Sequence, residues 1–239
     1  MVRRRFTSRG PLRRVLRWSG RVLAAFLVWS VASVLLLRFV DPPLTPLMVL
    51  RLGEGLLHAR WVGVDYRWVD LVDVSPALLA AVLASEDARF FRHRGVDFAE
   101  VERARAYNRR QQGRRVRGAS TITMQCARST FLWTGRNWLR KTLEMYFTAL
   151  LELFWSKRRI LEVYINVVEW GDGVYGIGAA ADRAFRVSAA KLTPPQAALL
   201  AAVLPSPRRW SATRPTQVVK ARAARIAMVA KTSSLKPLR

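Results

Sequence analysis

The clearest helical pattern in the chain is WLRKTLEMYFTALLELF, residues 138–154. Apolar side chains recur in it every three or four residues, at Leu139, Leu143, Phe147, Leu150 and Phe154. This spacing places them on one face of an α-helix. The pattern therefore predicts a helix that packs this face against the rest of a core.

The sequence on both sides of this segment is also helical in character. Ser75 and Pro76 are typical of a helix start, and they precede the Ala- and Leu-rich residues 77–85. Helical patterns follow at residues 99–112, 121–131, 157–166 and 197–204. Residues 61–69 are loosely alternating, and four glycines between residues 171 and 178 require tight turns. Because no strand–helix alternation or repeat appears, we predict a mainly α domain.

The charge of the chain is strongly positive. There are 41 Lys and Arg against 16 acidic residues, a formal net charge of +25. Such a balance favours anionic partners: nucleic acid, anionic lipid or a phosphorylated substrate. Every carboxylate lies between Asp41 and Asp182, which confines carboxylate chemistry to this part of the chain. The single cysteine, Cys126, excludes an intrachain disulfide, and it is interpreted as a buried apolar residue.

An apolar segment near the N-terminus predicts a membrane anchor. Residues 22–37 carry no charge, and Phe39 and Val40 extend the run. Eight arginines precede it, which by the positive-inside rule places residues 1–21 in the cytoplasm and the following domain outside the inner membrane. A buried core helix and a cleaved signal peptide are the alternatives. We assign residues 1–21 to a basic tail, 22–40 to the anchor and 41–74 to a linker.

The segment EDARFFRHRGVD, residues 86–97, has the strongest signal of chemistry. Glu86 and Asp87 end the predicted apolar helix, where carboxylates oppose the helix dipole. That position favours a functional role in a cleft over packing. Arg89, Arg92 and Arg94 follow closely and are expected to influence the Glu86 carboxylate.

Five motifs together resemble one known family. They are EDARFFRHRGVD (residues 86–97), RGASTITMQ (117–125), RKTLE (140–144), KRRILEVYIN (157–166) and QAALLAAVLP (196–205). Their order and spacing are similar to glycosyltransferase family 51, the peptidoglycan glycosyltransferases. The short chain with one anchor resembles the family's monofunctional members. The resemblance covers about residues 75–210, which we take as the catalytic domain, with residues 211–239 as a basic C-terminal segment.

The resemblance implies a lysozyme-like helical fold and the polymerisation of lipid II into β-1,4 glycan strands, with inversion and release of undecaprenyl pyrophosphate. It implies Glu86 as the general base and Glu144 as a second carboxylate on the donor side. It also implies substrate or pyrophosphate contacts, some at the start of a helix, by six residues: Ser120, Thr121, Gln125, Arg128, Arg140 and Lys141.

No cofactor is certain from the resemblance, and a divalent metal ion such as Mg²⁺ is left open, with no protein metal site expected. The expected partners are lipid II, the growing glycan strand, anionic membrane lipids and other cell-wall synthesis proteins, and no nucleic acid.

Some positions depart from the family pattern. Met124 stands where Gln is usual, Ser129 where Asn is usual, and Arg186-Val187 where Gly-Lys is usual. An inactive cell-wall scaffold of the same fold is therefore one alternative. A lysozyme-like hydrolase with two acidic residues is another. A nucleic-acid binder rests on charge alone, because no nucleic-acid motif appears.

Overall fold

The computed structural model describes residues 9–57, 63–112, 116–135 and 137–232, together with residues 235 and 238. The chain divides into two compact units, residues 1–40 and 41–239. Predictions made for residues 1–8, 61–62 and 113–115 lie outside the described residues.

The described residues of the first unit form one helix, α1 (Arg9–Leu37). Its segment Arg14–Leu37 is long and apolar enough to cross a membrane, with a mean hydropathy of 2.0. Large apolar side chains such as Val22, Val28 and Leu36 are exposed along it. This exposure argues against the buried core helix considered as an alternative. The helix ends at Leu37 and is followed by a turn at Arg38 and Phe39, so it does not continue to Val40.

The described part of the second unit contains nine α-helices. They are α2 (Pro46–Leu57), α3 (Pro76–Glu86), α4 (Phe98–Arg110), α5 (Ile122–Phe131), α6 (Trp138–Phe154), α7 (Lys157–Val167), α8 (Ile177–Phe185), α9 (Pro194–Val203) and α10 (Gln217–Ala230). The predicted mainly α class is confirmed.

The core of the second unit is built from two groups of helices. Helix α3 packs against α9 and α10, and its residues 78–83 are all buried. Helix α5 packs between α6 and α7, where Phe131 stacks on Phe147 with ring centroids 4.5 Å apart. Residues 160–161 and 163–167 of α7 are also buried, so both groups have apolar interiors.

A small sheet accompanies the helices, with strand order β1-β3-β2. It comprises β1 (Asp65–Tyr66), β2 (Glu169–Gly171) and β3 (Val174–Tyr175), and β3 pairs parallel with β1 and antiparallel with β2. Gly176 follows at φ +77°, and a Cβ there would lie 2.7 Å from the carbonyl oxygen of Arg67. The glycine-rich sequence therefore forms a hairpin and allows the backbone at Gly176 to lie close to the segment that contains Arg67.

Two segments have more structure than the sequence predicted. The linker at residues 41–74 contains α2, whose Arg51 is buried and forms ion pairs with Glu54 and Asp172. These carboxylates raise the pKa of Arg51, against the opposing effect of burial. The basic C-terminal segment contains α10, which packs on α3 and α9. Both helices are thus integral parts of the folded unit.

Candidate active site

The end of α3 places Glu86 at the wall of a cleft of about 880 Å³. The cleft is lined by the last turn of α3, the segment 116–121, one face of α5, and one face of α10. Helix α3 is buried along most of its length, so its C-terminal residues are the first that reach this open space. The predicted projection of Glu86 into a cleft matches this geometry.

Three side chains hold the Glu86 carboxylate. Its Oε2 accepts a hydrogen bond from Gln125 Nε2 at 3.0 Å. Its Oε1 accepts from Arg222 Nη2 and from Ser85 Oγ, each at 3.3 Å. The Glu86 side chain is 11% exposed, so it is fixed in place yet open to the cleft on one side. Such a carboxylate is oriented to take a proton from a group bound in the cleft.

The amide of Gln125 is itself oriented by a buried tyrosine. The Tyr164 hydroxyl lies 3.4 Å from Gln125 Oε1, and Tyr164 is fully buried on α7. Burial raises the pKa of Tyr164 well above its usual value, and the nearby Glu86 raises it further. The hydroxyl therefore remains a donor, which directs the Gln125 NH₂ group towards Glu86.

Asp87 connects α3 to the start of α5. Its carboxylate lies 3.0 Å from His93 Nε2 and accepts a hydrogen bond of 3.0 Å from the Ile122 backbone N–H. Carboxylates are favourable at helix N-termini, where backbone N–H groups lack partners. Asp87 thus fixes α5, and with it Gln125, relative to Glu86. This role is positional rather than catalytic.

The six arginines of the cleft differ in whether they have acidic partners. Arg89 lies 3.4 Å from Asp97, while Arg103 and Arg117 contact Glu100 at 3.4 and 2.7 Å. Arg222 contacts Glu86. The other two, on α5 and α10, have no acidic partner among the residues that the structure describes; they are Arg128 and Arg225. These two guanidinium groups are available to a bound anion.

Asp87, His93 and Asp97 bring three potential metal ligands within 4.8 Å of one another. Their ligand atoms already have partners, because Asp87 binds His93 and Ile122 N–H, and Asp97 accepts from Glu100 N–H and faces Arg89. An imidazole is also a poor ligand for Mg²⁺, which prefers oxygen in octahedral geometry. This group therefore does not fit a magnesium ion.

A second carboxylate, Glu144 on α6, lies in a separate ion cluster. It is 1% exposed, with Arg140 Nη1 at 2.9 Å and Lys141 Nζ at 2.5 Å. None of these three residues lines the cleft of Glu86. Helix α6 packs on α5, so the cluster supports the helix that carries Gln125 and Arg128.

The sequence model of the Transglycosylase family matches residues 55–231. The chain belongs to the transglycosylase family. It is 52% identical over 213 residues to a biosynthetic peptidoglycan transglycosylase of Rhodospirillum centenum, covering 89% of each chain. Proteins of the same name from Caulobacter vibrioides and Pseudomonas entomophila are 49% and 52% identical. These two matches cover 90% and 87% of this chain, and 91% and 88% of the relatives. The resemblance noted from the motifs is confirmed.

The transglycosylase cleft contains five of the eight residues that the sequence predicted for the site. They are Glu86, Ser120, Thr121, Gln125 and Arg128. The other three form the separate cluster around Glu144, and their direct contact with substrate stays a prediction. The departures at Met124 and Ser129 are both buried outside the cleft lining, so they do not remove polar groups from it.

One expectation about this transglycosylase site stays a prediction, and another is corrected. The Thr121 hydroxyl donates to Gly95 O at 2.5 Å and accepts from Met124 N, so it caps α5. Asp87 accepts from the Ile122 N–H, so two N–H groups at the start of α5 already have partners within the protein, and an anion contact there stays a prediction. Among the described residues, the cation that contacts Glu86 is Arg222 rather than Arg89, which pairs with Asp97 instead.

Sequence reasoning missed Arg222 and Arg225 in this transglycosylase. Both lie on α10, in the segment that was interpreted only as basic. Their spacing of three residues, followed by Ile226 and Val229, places all four on the face that lines the cleft. Helical periodicity could have placed these four residues on one face of a helix. It could not have indicated that this face packs beside Glu86.

Proposed function

We propose that this protein is a peptidoglycan glycosyltransferase that polymerises lipid II into β-1,4 glycan strands. Family membership and the names of its relatives support the activity. The observation that carries the proposal is the Glu86 carboxylate, oriented by Gln125 and Arg222, in a cleft that also contains two guanidinium groups with no acidic partner among the described residues. The carboxylate is suited to act as a base, and the two guanidinium groups are suited to bind an anionic leaving group.

Glu86 acts as the general base in this reaction. It takes the proton from the 4-hydroxyl of the lipid II N-acetylglucosamine as the oxygen attacks C1 of the N-acetylmuramic acid of the growing strand. The C1–O bond to the pyrophosphate breaks on the opposite face, and its electron pair leaves with the pyrophosphate. Attack from the face opposite the leaving group inverts C1 and gives the β linkage.

Arg128 and Arg225 bind the pyrophosphate in this proposal. Their cations stabilise the negative charge that develops on the departing oxygen, and they act strongest where water is excluded. Arg222 has a different role, because it is already engaged with Glu86. It holds the Glu86 carboxylate in position at the cleft wall. Ser120 is exposed at the cleft wall and supplies a further polar contact.

The same carboxylates argue against a lysozyme-like hydrolase. A glycosidase needs a carboxylic acid kept protonated, as in an apolar pocket, to protonate an alkoxide leaving group. In the described part of the cleft, Glu86, Asp97 and Glu100 each contact an arginine, and Asp87 contacts His93. Glu144 contacts both Arg140 and Lys141. A pyrophosphate leaving group requires no acid, so this arrangement favours transfer from a lipid-linked donor.

Helix α1 fits a single-pass membrane anchor, and its orientation is part of the proposal. The arginine-rich N-terminal flank favours a cytoplasmic N-terminus, with the catalytic unit outside the inner membrane. The catalytic unit, after Val40, contains all 16 acidic residues and 32 of the 41 basic ones. It is therefore positively charged, which favours its binding to anionic lipid headgroups. Other cell-wall synthesis proteins are further proposed partners.

A divalent ion such as Mg²⁺ stays a proposal for the donor complex. The Asp87, His93 and Asp97 group does not fit it, so the pyrophosphate oxygens themselves would supply ligands, as is usual for Mg²⁺ with phosphates. Polymerisation measured with and without EDTA tests the requirement.

The test of the proposed function is polymerisation of purified lipid II by the full-length protein and by Glu86→Gln. We expect the wild type to form glycan strands on a gel, and Glu86→Gln to lose at least about 100-fold in rate, because general bases contribute about 10²–10⁴-fold. Glu102→Gln on the exposed face of α4 is the matched control. Failure of the wild type would support the inactive scaffold, and full activity of Glu86→Gln would exclude Glu86 as the base.

A further inference from the structure

A second cavity of about 410 Å³ lies apart from the catalytic cleft and shares no lining residue with it. It is bounded by the β2–β3 hairpin, by α8, and by the segment 207–214 that follows α9. Its volume falls within the range of small-molecule sites, about 300–1,000 Å³. Nothing in the proposed reaction uses this cavity.

The charges that line this cavity are unbalanced. Four arginines and one carboxylate face it. The carboxylate, Asp172, forms an ion pair with the buried Arg51, and one arginine, Arg208, lies 3.3 Å from Glu169. The remaining three have no acidic partner among the residues that the structure describes; they are Arg183, Arg209 and Arg214. A concave surface of one charge focuses its field on an anion of matching size.

The segment that carries two of these arginines is held by local hydrogen bonds. Trp210 N donates to Ser206 O at 2.9 Å, and Arg214 N donates to Ser211 Oγ at 3.2 Å. A ligand therefore meets a backbone that is already ordered, which lowers the entropy cost of binding. Trp210 is half-buried in the cavity wall and offers an indole beside the guanidinium groups.

We propose that this cavity binds the carboxylates of an acidic saccharide, namely peptidoglycan strand bearing peptides with free carboxyl groups. Guanidinium groups bind carboxylates through paired N–H donors, and Arg183, Arg209 and Arg214 supply three such groups. The indole of Trp210 provides a flat surface for a sugar ring. The identity of the ligand rests on the proposed function, whereas the carboxylate chemistry rests on the cavity alone. The site would hold product strand away from the catalytic centre.

Binding of a soluble disaccharide–peptide fragment to the full-length protein in detergent micelles tests the proposal. The probes are the fragment with free carboxyl groups, the same fragment with these groups amidated, and vesicles containing phosphatidylglycerol. The variant is Arg183→Gln/Arg209→Gln/Arg214→Gln. The matched control, Arg105→Gln/Arg109→Gln/Arg110→Gln, removes three exposed charges from α4, outside both cavities.

We expect the Kd of the acidic fragment to rise about tenfold or more in the cavity variant, from the loss of three partly exposed ionic contacts. The control variant should bind as the wild type does, and the amidated fragment should bind weakly to all three proteins. Equal binding by the cavity variant, equal weakening in the control, or equal binding of the amidated fragment would overturn the proposal. So would a cavity variant that loses only vesicle binding, since that assigns the arginines to a membrane surface.

The lipid II assay separates this proposal from the proposed function. Polymerisation without fragment binding would contradict the proposed second site and would leave the proposed transferase function supported. The reverse outcome is a wild type that forms no strands but binds the fragment through the cavity arginines. It would support the second site and contradict the proposed transferase function.

Discussion

Arg222 Nη2 lies 3.3 Å from Glu86 Oε1, although 136 residues separate the two in the chain. The side chains are 28% and 11% exposed, so the contact is partly shielded from water. Helix α10 brings the guanidinium group to the end of α3 by packing along it. The proposed base is therefore completed by the C-terminal helix.

Arg222→Ala should lower kcat for lipid II polymerisation about tenfold or more, with little change in KM, because the guanidinium group holds the Glu86 carboxylate in position. Arg222→Lys should restore part of the rate, since lysine keeps a cationic donor. Steady-state kinetics and urea unfolding of the three proteins would check this. A rise in KM at unchanged kcat, or no gain in rate from Arg222→Ala to Arg222→Lys, would contradict this role.

Arg128→Ala and Arg225→Ala should each lower kcat/KM for lipid II about tenfold, with a higher KM and a lower kcat, because the pyrophosphate is bound before the reaction and gains charge during it. Both side chains lie in the cleft without an acidic partner among the described residues, and charged contacts contribute about 1.5–3 kcal/mol. The KM of the wild type should also rise with salt more steeply than that of either variant. Steady-state kinetics at two ionic strengths would check this, and equal salt dependence would exclude pyrophosphate binding by these groups.

Tyr164→Phe should reduce kcat while leaving the fold largely intact. The change removes the donor that orients Gln125, at a cost of about 1 kcal/mol in the free energy of unfolding. The Gln125 amide is then free to rotate away from Glu86. Denaturant unfolding and polymerisation assays would be compared with those of Tyr107→Phe on α4. Full activity in Tyr164→Phe would show that the orientation of Gln125 does not depend on the hydroxyl.

Glu144→Gln should destabilise the protein by about 3–5 kcal/mol, the usual effect of breaking a buried ion pair, because Arg140 loses its charged partner. Glu152→Gln, which breaks the pair with Lys157, is a matched comparison on the same helix. Urea unfolding gives the stability, and single-turnover assays below the unfolding range give the activity. A stable but inactive Glu144→Gln would support the direct donor-side role implied by the family resemblance.

Stability should decrease above about pH 9, and Cys126→Ala should lessen that decrease. Burial raises the pKa of Cys126 from 9.0 to about 12. Between these values the thiol is ionised only in the unfolded chain, so each pH unit removes about 1.4 kcal/mol of stability. The contribution is complete below pH 9 and lost as pH rises to about 12. Unfolding free energies of both proteins at pH 8 and 11 would check this, and parallel decreases would contradict it.

Several elements followed directly from sequence. Helix α6 spans residues 138–154, as its periodicity predicted, and α3 begins at Pro76. The predicted buried face of α6 was wrong, because Leu139 is 64% exposed and only Phe147 of the five predicted residues is buried. The buried positions of α6 are Arg140, Glu144, Phe147, Thr148 and Leu151, since the ion cluster around Glu144 faces the interior. Ser75 precedes α3 but does not cap it, because its hydroxyl donates to Leu192 O across the core. The hairpin of β2 and β3 was interpreted only as glycine turns, because strands of two or three residues are too short to show alternation.

The sequence by itself determined the helical class, the apolar anchor segment and the acidic residue at the end of a buried helix. These properties are local, since the spacing of apolar residues and the position of helix-starting residues lie within one segment. Only the tertiary structure decided that Arg222 and Arg225 join Glu86, and that Glu144 belongs to a separate cluster. Those outcomes depend on which helix faces pack together, and packing joins residues that are far apart in the chain.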